Sequence, residues 1–160
     1  MIYNEGVITT PSDREILMQR IFRAPAQLMY DVWTKPEHVR RWYGVRGTTV
    51  TVCDIDLRVG GAWRWVVVRP DNVEIAFSGE FLELDPPRLI RRTERFEQMP
   101  GGDPAIVTIT FEERDGGAET FFSATMLFPT KRERDMCLQS GMEHGLRECY
   151  ANIDKIITGD

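Results

Sequence analysis

The chain has 160 residues, of which 42% are hydrophobic and 28% charged, and a formal net charge of -5 at pH 7. That balance suits one soluble globular domain, long enough to bury roughly 70% of the surface its unfolded form exposes, and it excludes a disordered chain. Lys and Arg are dispersed among acids, which leaves no field to attract nucleic acid, and no segment reaches the ~18 consecutive apolar residues of a membrane span.

Residues 1–13 read as a flexible polar tail in which no basic region precedes an apolar run, so the expected location is cytoplasmic. Residues 14–160 read as a single domain. Glu15 to Arg23 carries Ile16, Met18 and Phe22 at strand spacing. Ala24-Pro25 then opens a helix whose apolar stripe is Leu28, Met29, Val32 and Trp33, and Pro36 to Tyr43 makes a short second helix carrying Val39 and Trp42 inward. From Thr48 the period changes. Thr49–Leu57, Ala62–Arg69, Val73–Leu84, Arg88–Phe96, Ala105–Glu113 and Glu119–Phe128 are strand-like runs separated by turn residues such as Gly60-Gly61, Pro86-Pro87 and Met99-Pro100-Gly101-Gly102. Short turns between successive strands imply an antiparallel meander.

Lys131 to Ile157 reads as one long amphipathic helix, with Leu138, Met142, Leu146, Cys149, Ile153 and Ile156 at helical spacing. It spans roughly 40 Å, enough to cross the sheet. Gly141 and Gly145 fall on its apolar side one turn apart, although glycine inside a helix costs about 1 kcal/mol relative to alanine. Either the sheet packs unusually close there, or the missing side chains leave a hollow. Cys53, Cys137 and Cys149 have no CxxC spacing and read as buried thiols; the last two lie roughly 18 Å apart along the expected helix, too far to bond.

Several segments together resemble one family. Ala24-Pro25, the run from Val32 to His38 leading to Arg41-Trp42-Tyr43-Gly44, and Asp56 to Trp63 are similar to the AHSA1-like branch of the SRPBCC (START/Bet v 1-like) superfamily. So are Phe77-Ser78-Gly79, Thr93 to Phe96, Val107 to Phe111 and Ser140 to Gly145. The resemblance implies an α+β helix-grip fold, a curved antiparallel sheet of about seven strands with two short N-terminal helices and one long C-terminal helix enclosing a cavity. It also implies binding of lipids, polyketides or other apolar compounds, with cyclisation or dehydration in some members. The branch is named for an activator of the Hsp90 ATPase, whose additional N-terminal domain resembles no segment of this chain.

Alternation places Trp63 and Trp65 on one strand face, Phe77 on another, and Phe122 with Met126 on a third. Each ring buries some 150–250 Å², so the set serves either as core filling or as the wall of a binding cavity. Met142, beside the glycines, is flexible enough to mould to a ligand. Trp42 is expected near the cavity mouth or as a staple at the Gly44 turn. Glu94 shares a face with Arg92 and Phe96 and either points into the hollow or belongs to an exposed charged strand; the neighbouring arginines are expected to be solvated. The ligand-binding candidates are therefore Trp42, Trp63, Trp65, Phe77, Glu94, Phe96, Phe122, Met126, Leu138, Gly141, Met142 and Gly145.

His144 stands four residues before Glu148 on one helix face, an arrangement expected on a helix surface, and no HExxH, Cys-His or calcium-loop pattern accompanies it. No metal, cofactor or catalytic nucleophile is expected: GxSxG and GxGxxG are both missing. The leading expectation is an apolar or aromatic small molecule held between sheet and helix. The alternatives are a cyclase, lyase or hydrolase using Glu94 or His144, and a chaperone-interacting module with Hsp90 as partner. Some members of such folds pair into dimers, and a homodimer is compatible with this chain.

Overall fold

A computed structural model describes residues 5–44, 47–99 and 101–159. Residues 1–4 of the expected tail and Pro100 of an expected turn lie outside the described residues. Eight antiparallel strands form one sheet: β1 (Val7–Thr9), β2 (Glu15–Phe22), β3 (Thr49–Ile55), β4 (Ala62–Val68), β5 (Glu74–Asp85), β6 (Leu89–Phe96), β7 (Ala105–Arg114) and β8 (Glu119–Leu127). Their order is β1-β2-β8-β7-β6-β5-β4-β3, so the meander runs unbroken from β3 to β8 and the early strand β2 closes onto its end. Register shifts at Val50/Val52 in β3 and Phe81/Glu83 in β5 add local bends that help the sheet curve.

The expected count of about seven strands becomes eight because Val7–Thr9 pairs with β2, with Val7 opposite Gln19. Three residues are too few to show alternation. The ladder to β2 holds this segment, and just before it Arg147 donates to the carbonyl oxygen of Glu5 at 2.8 Å.

Helix α1 (Ala26–Thr34) follows Pro25, and its first amide, Ala26 N–H, donates to Glu113 Oε1 at 3.1 Å, placing a carboxylate at the positive end of the helix. Helix α2 (Pro36–Trp42) starts on a proline, where the missing N–H costs nothing. Together they bury Met29, Val32, Trp33, Val39 and Trp42.

The long terminal helix is two helices, which corrects the single helix read over Lys131 to Ile157. Helix α3 (Lys131–Gln139) ends at Ser140, and α4 (Met142–Thr158) begins after Gly141, whose backbone is left-handed at φ 84°. A glycine in this conformation terminates a helix because it carries no Cβ to clash. Gly141 therefore relieves backbone strain rather than opening a hollow; a Cβ built on it meets nothing within 4 Å. The break also changes the direction of the apolar stripe, leaving Leu138 36% exposed. Helix α4 buries Cys149, Tyr150 and Ile153 against the sheet. Helix α3 buries only Arg134, which donates to the carbonyl oxygens of Ser12 at 2.7 Å and Glu15 at 3.4 Å.

Candidate functional site

Strand β6 decides the chemistry of the inner face. Its alternation sends Ile90, Arg92, Glu94 and Phe96 one way and Arg91, Thr93 and Arg95 the other. Register then sets the neighbours: Arg92 stands between Phe81 and Val107, Glu94 opposite Ala105, and Phe96 opposite Phe77, which itself faces Trp65 on β4.

Arg92 is 4% exposed, which corrects the solvated position expected for it. Its guanidinium lies 4.0 Å from the ring centroid of Trp63 and 4.7 Å from that of Trp65, a cation held on two aromatic faces. Trp63 is fixed in turn by its Nε1–H, which donates to the Thr93 carbonyl oxygen at 3.1 Å. Arg92 Nη2 approaches Glu94 Oε1 at 3.5 Å, and Arg92 Nε is buried without a hydrogen-bond partner. The Glu94 side chain is 18% exposed, so the pair is open to solvent on the carboxylate side.

Burial pushes the Glu94 carboxyl up, against the opposing pull of Arg92, and burial likewise lowers the Arg92 guanidinium against the pull of Glu94. The Tyr43 hydroxyl is raised well above its ordinary value by burial and by the Glu94 charge. Its ring packs 4.8 Å from Trp65 and 6.3 Å from Phe77, so the carboxylate sits in a wall of rings.

The candidates divide between core and rim. Trp42, Trp63, Trp65 and Phe122 are fully buried. Trp42 is not at a mouth: its Nε1–H donates to the Val32 carbonyl oxygen at 2.8 Å, and its ring meets Trp33 and Trp65. Phe77 stacks on Phe96 at 5.2 Å, and Phe96 is 36% exposed. Met126, Met142 and Gly145 are half-buried. The tryptophans thus fill the core, and the accessible side chains of the strand candidates include Phe77, Phe96 and Glu94. The His144 side chain is 83% exposed and pairs with Glu148 at 3.0 Å, so of the two groups proposed for acid–base work only Glu94 faces inward. Sequence reasoning passed over Arg92 and Tyr43; the signal for Arg92 was its shared face with Glu94.

Comparison with known proteins bears on the same fold. The family model described as activator of Hsp90 ATPase homolog 1-like protein matches residues 23–158. The chain belongs to this family. No curated protein matches the sequence. Among solved structures, a Rhodobacter sphaeroides protein superposes with a TM-score of 0.87 at 22% identity, covering 97% of this chain and 99% of that one. A Chromobacterium violaceum protein gives 0.75 at 26% identity over 91% and 99%. An HSP90 activator from Plasmodium falciparum gives 0.63 at 20% identity over 91% and 96%.

In this AHSA1-family chain two surface hollows lie away from the ring wall. One of about 540 Å³ is lined by Glu5, Gly6, Arg20, Arg147, Tyr150 and Ala151, and one of about 430 Å³ runs along α3. No helix among the described residues is long and apolar enough to cross a membrane. Burial pushes Cys53, Cys137 and Cys149 up to about 11, and the Glu94 charge adds to the rise at Cys137. Because only the thiolate alkylates, iodoacetamide at pH 7.5 is expected to leave all three unmodified in the folded protein and to modify them in denaturant, read by intact mass.

Proposed function

We propose that this protein binds a small apolar or aromatic molecule between the sheet and its C-terminal helices, entering at the side where Phe77, Phe96 and Glu94 meet. The observation that carries this reading is the Glu94 carboxylate, turned inward among aromatic rings and yet 18% exposed. A charge in such a place costs stability, and an inward carboxylate that water still reaches is the arrangement a site needs to orient a ligand. Apolar contact supplies affinity at about 25 cal/mol per Å² removed from water, and the flexible Met126 and Met142 adapt the wall to the ligand's shape.

Gly145 lies one turn before buried Cys149 and on the same helix face, so its missing side chain adds room against the sheet. Neutral Nile red is expected to bind the parent protein with enhanced, blue-shifted emission, and Gly145→Leu is expected to weaken that binding by about tenfold or more. Equal binding by a folded Gly145→Leu protein would place the ligand elsewhere.

A chaperone-interacting role is the second reading. It is supported by the family's description and by the exposed apolar side chains Leu57 and Val59, which stand together between β3 and β4. Purified Hsp90 that fails to be retained on the immobilised protein would remove it.

A further inference from the structure

Two Arg–carboxylate pairs on the inner side of this sheet differ in a telling way. Arg20 meets Asp154 through two parallel bonds of 2.8 and 2.7 Å, the closed fork typical of a structural pair. Arg92 reaches Glu94 through one long approach of 3.5 Å and keeps its Nε–H buried with no acceptor. A buried donor left unpaired costs free energy, and an ionised carboxylate has about four acceptor positions, so the pair has both a donor and an acceptor to offer. The guanidinium does not swing freely, because the faces of Trp63 and Trp65 hold it.

Building on the binding function proposed above, we infer that the ligand is a neutral aromatic compound whose polar end carries an acceptor and a donor side by side, as in a primary carboxamide or a lactam. The acceptor takes the Arg92 N–H and the donor meets the Glu94 carboxylate, while the ring lies against Tyr43, Phe77 and Phe96. Neutrality follows from charge: the Arg92–Glu94 pair already sums to zero, and a charged ligand would leave one uncompensated charge in an apolar enclosure.

The test compares three probes of one shape on the wild-type protein by isothermal titration calorimetry at pH 7.5: naphthalene-2-carboxamide, naphthalene and naphthalene-2-carboxylate. The carboxamide is expected to bind about tenfold or more tighter than either of the others. In Glu94→Gln the carboxylate is expected to gain on the carboxamide, because the repelling charge has gone. Naphthalene or the carboxylate binding wild type as tightly as the carboxamide would overturn this inference and leave the binding function standing. If none of the three binds, both fall. The wild-type series needs no variant to fold.

Discussion

Gly79→Ala is expected to destabilise the protein by about 3 kcal/mol or more, or to prevent folding, as measured by urea denaturation. A Cβ at this position would stand 1.9 Å from the Thr93 carbonyl oxygen and 2.8 Å from Trp63 Nε1. The first atom is backbone and cannot rotate away. Relief must separate β5 from β6 where Glu80 N–H donates to Thr93 Oγ1 at 2.9 Å, and it must also break the indole bond that places Trp63 beneath Arg92. Glycine within a strand marks such a close approach. Gly60→Ala is the control: its Cβ would meet nothing within 4 Å, so only the strain of φ 85° remains, about 1 kcal/mol. Equal losses for the two variants would show that the crossing at Gly79 is looser than described.

Glu94→Leu is expected to be less stable than Arg92→Met/Glu94→Leu by about 3–5 kcal/mol, because the single variant leaves the Arg92 charge buried with no counter-charge. The double variant removes both charges and keeps the volume, so recovery separates the ion pair from simple packing. The pair also carries a pH signature. Because burial raises the Glu94 carboxyl, the folded state holds its proton more strongly than the unfolded state does. The contribution of this one group to stability is therefore fully present below the ordinary glutamate range and is lost as pH rises from that range through the higher folded value. Glu94→Gln removes that slope. A double variant no more stable than Glu94→Leu would mean that the rings, not the charge pair, carry the energy.

The order of elements was legible because each kind of periodicity has one physical meaning. Alternation in residues 62–65 and 119–124 reports one buried and one more accessible sheet face, and Pro36 and Gly60-Gly61 mark where the chain turns. The family resemblance carried the architecture further, to a curved sheet gripping C-terminal helices. Gly141 shows the limit of reading glycines by helical position. The same residue weakens a helix interior or ends a helix, and the polar run Gln139-Ser140 before it pointed to an ending. Strand β1 was hidden because its three residues, paired with β2, are too few to show alternation.

The candidate site was half legible. The rings at Trp63, Trp65, Phe77, Phe96 and Phe122 were named from alternation, yet which of them fill the core and which stand at the rim depends on strand register and sheet curvature. The sequence by itself determined strands β2 to β8, the two N-terminal helices and the inner face of most strands, since these follow from local spacing and residue type, and the resemblance of its motifs pointed to the family. Tertiary structure alone decided that Arg92 is buried on two tryptophans while Arg91 and Arg95 face away, that Trp42 lies in the core, and that Glu94 keeps part of its side chain exposed. The reason is that burial of a charge depends on what stands across from it: Trp63, Trp65, Phe81 and Val107 surround Arg92, and register between separate strands brings them together.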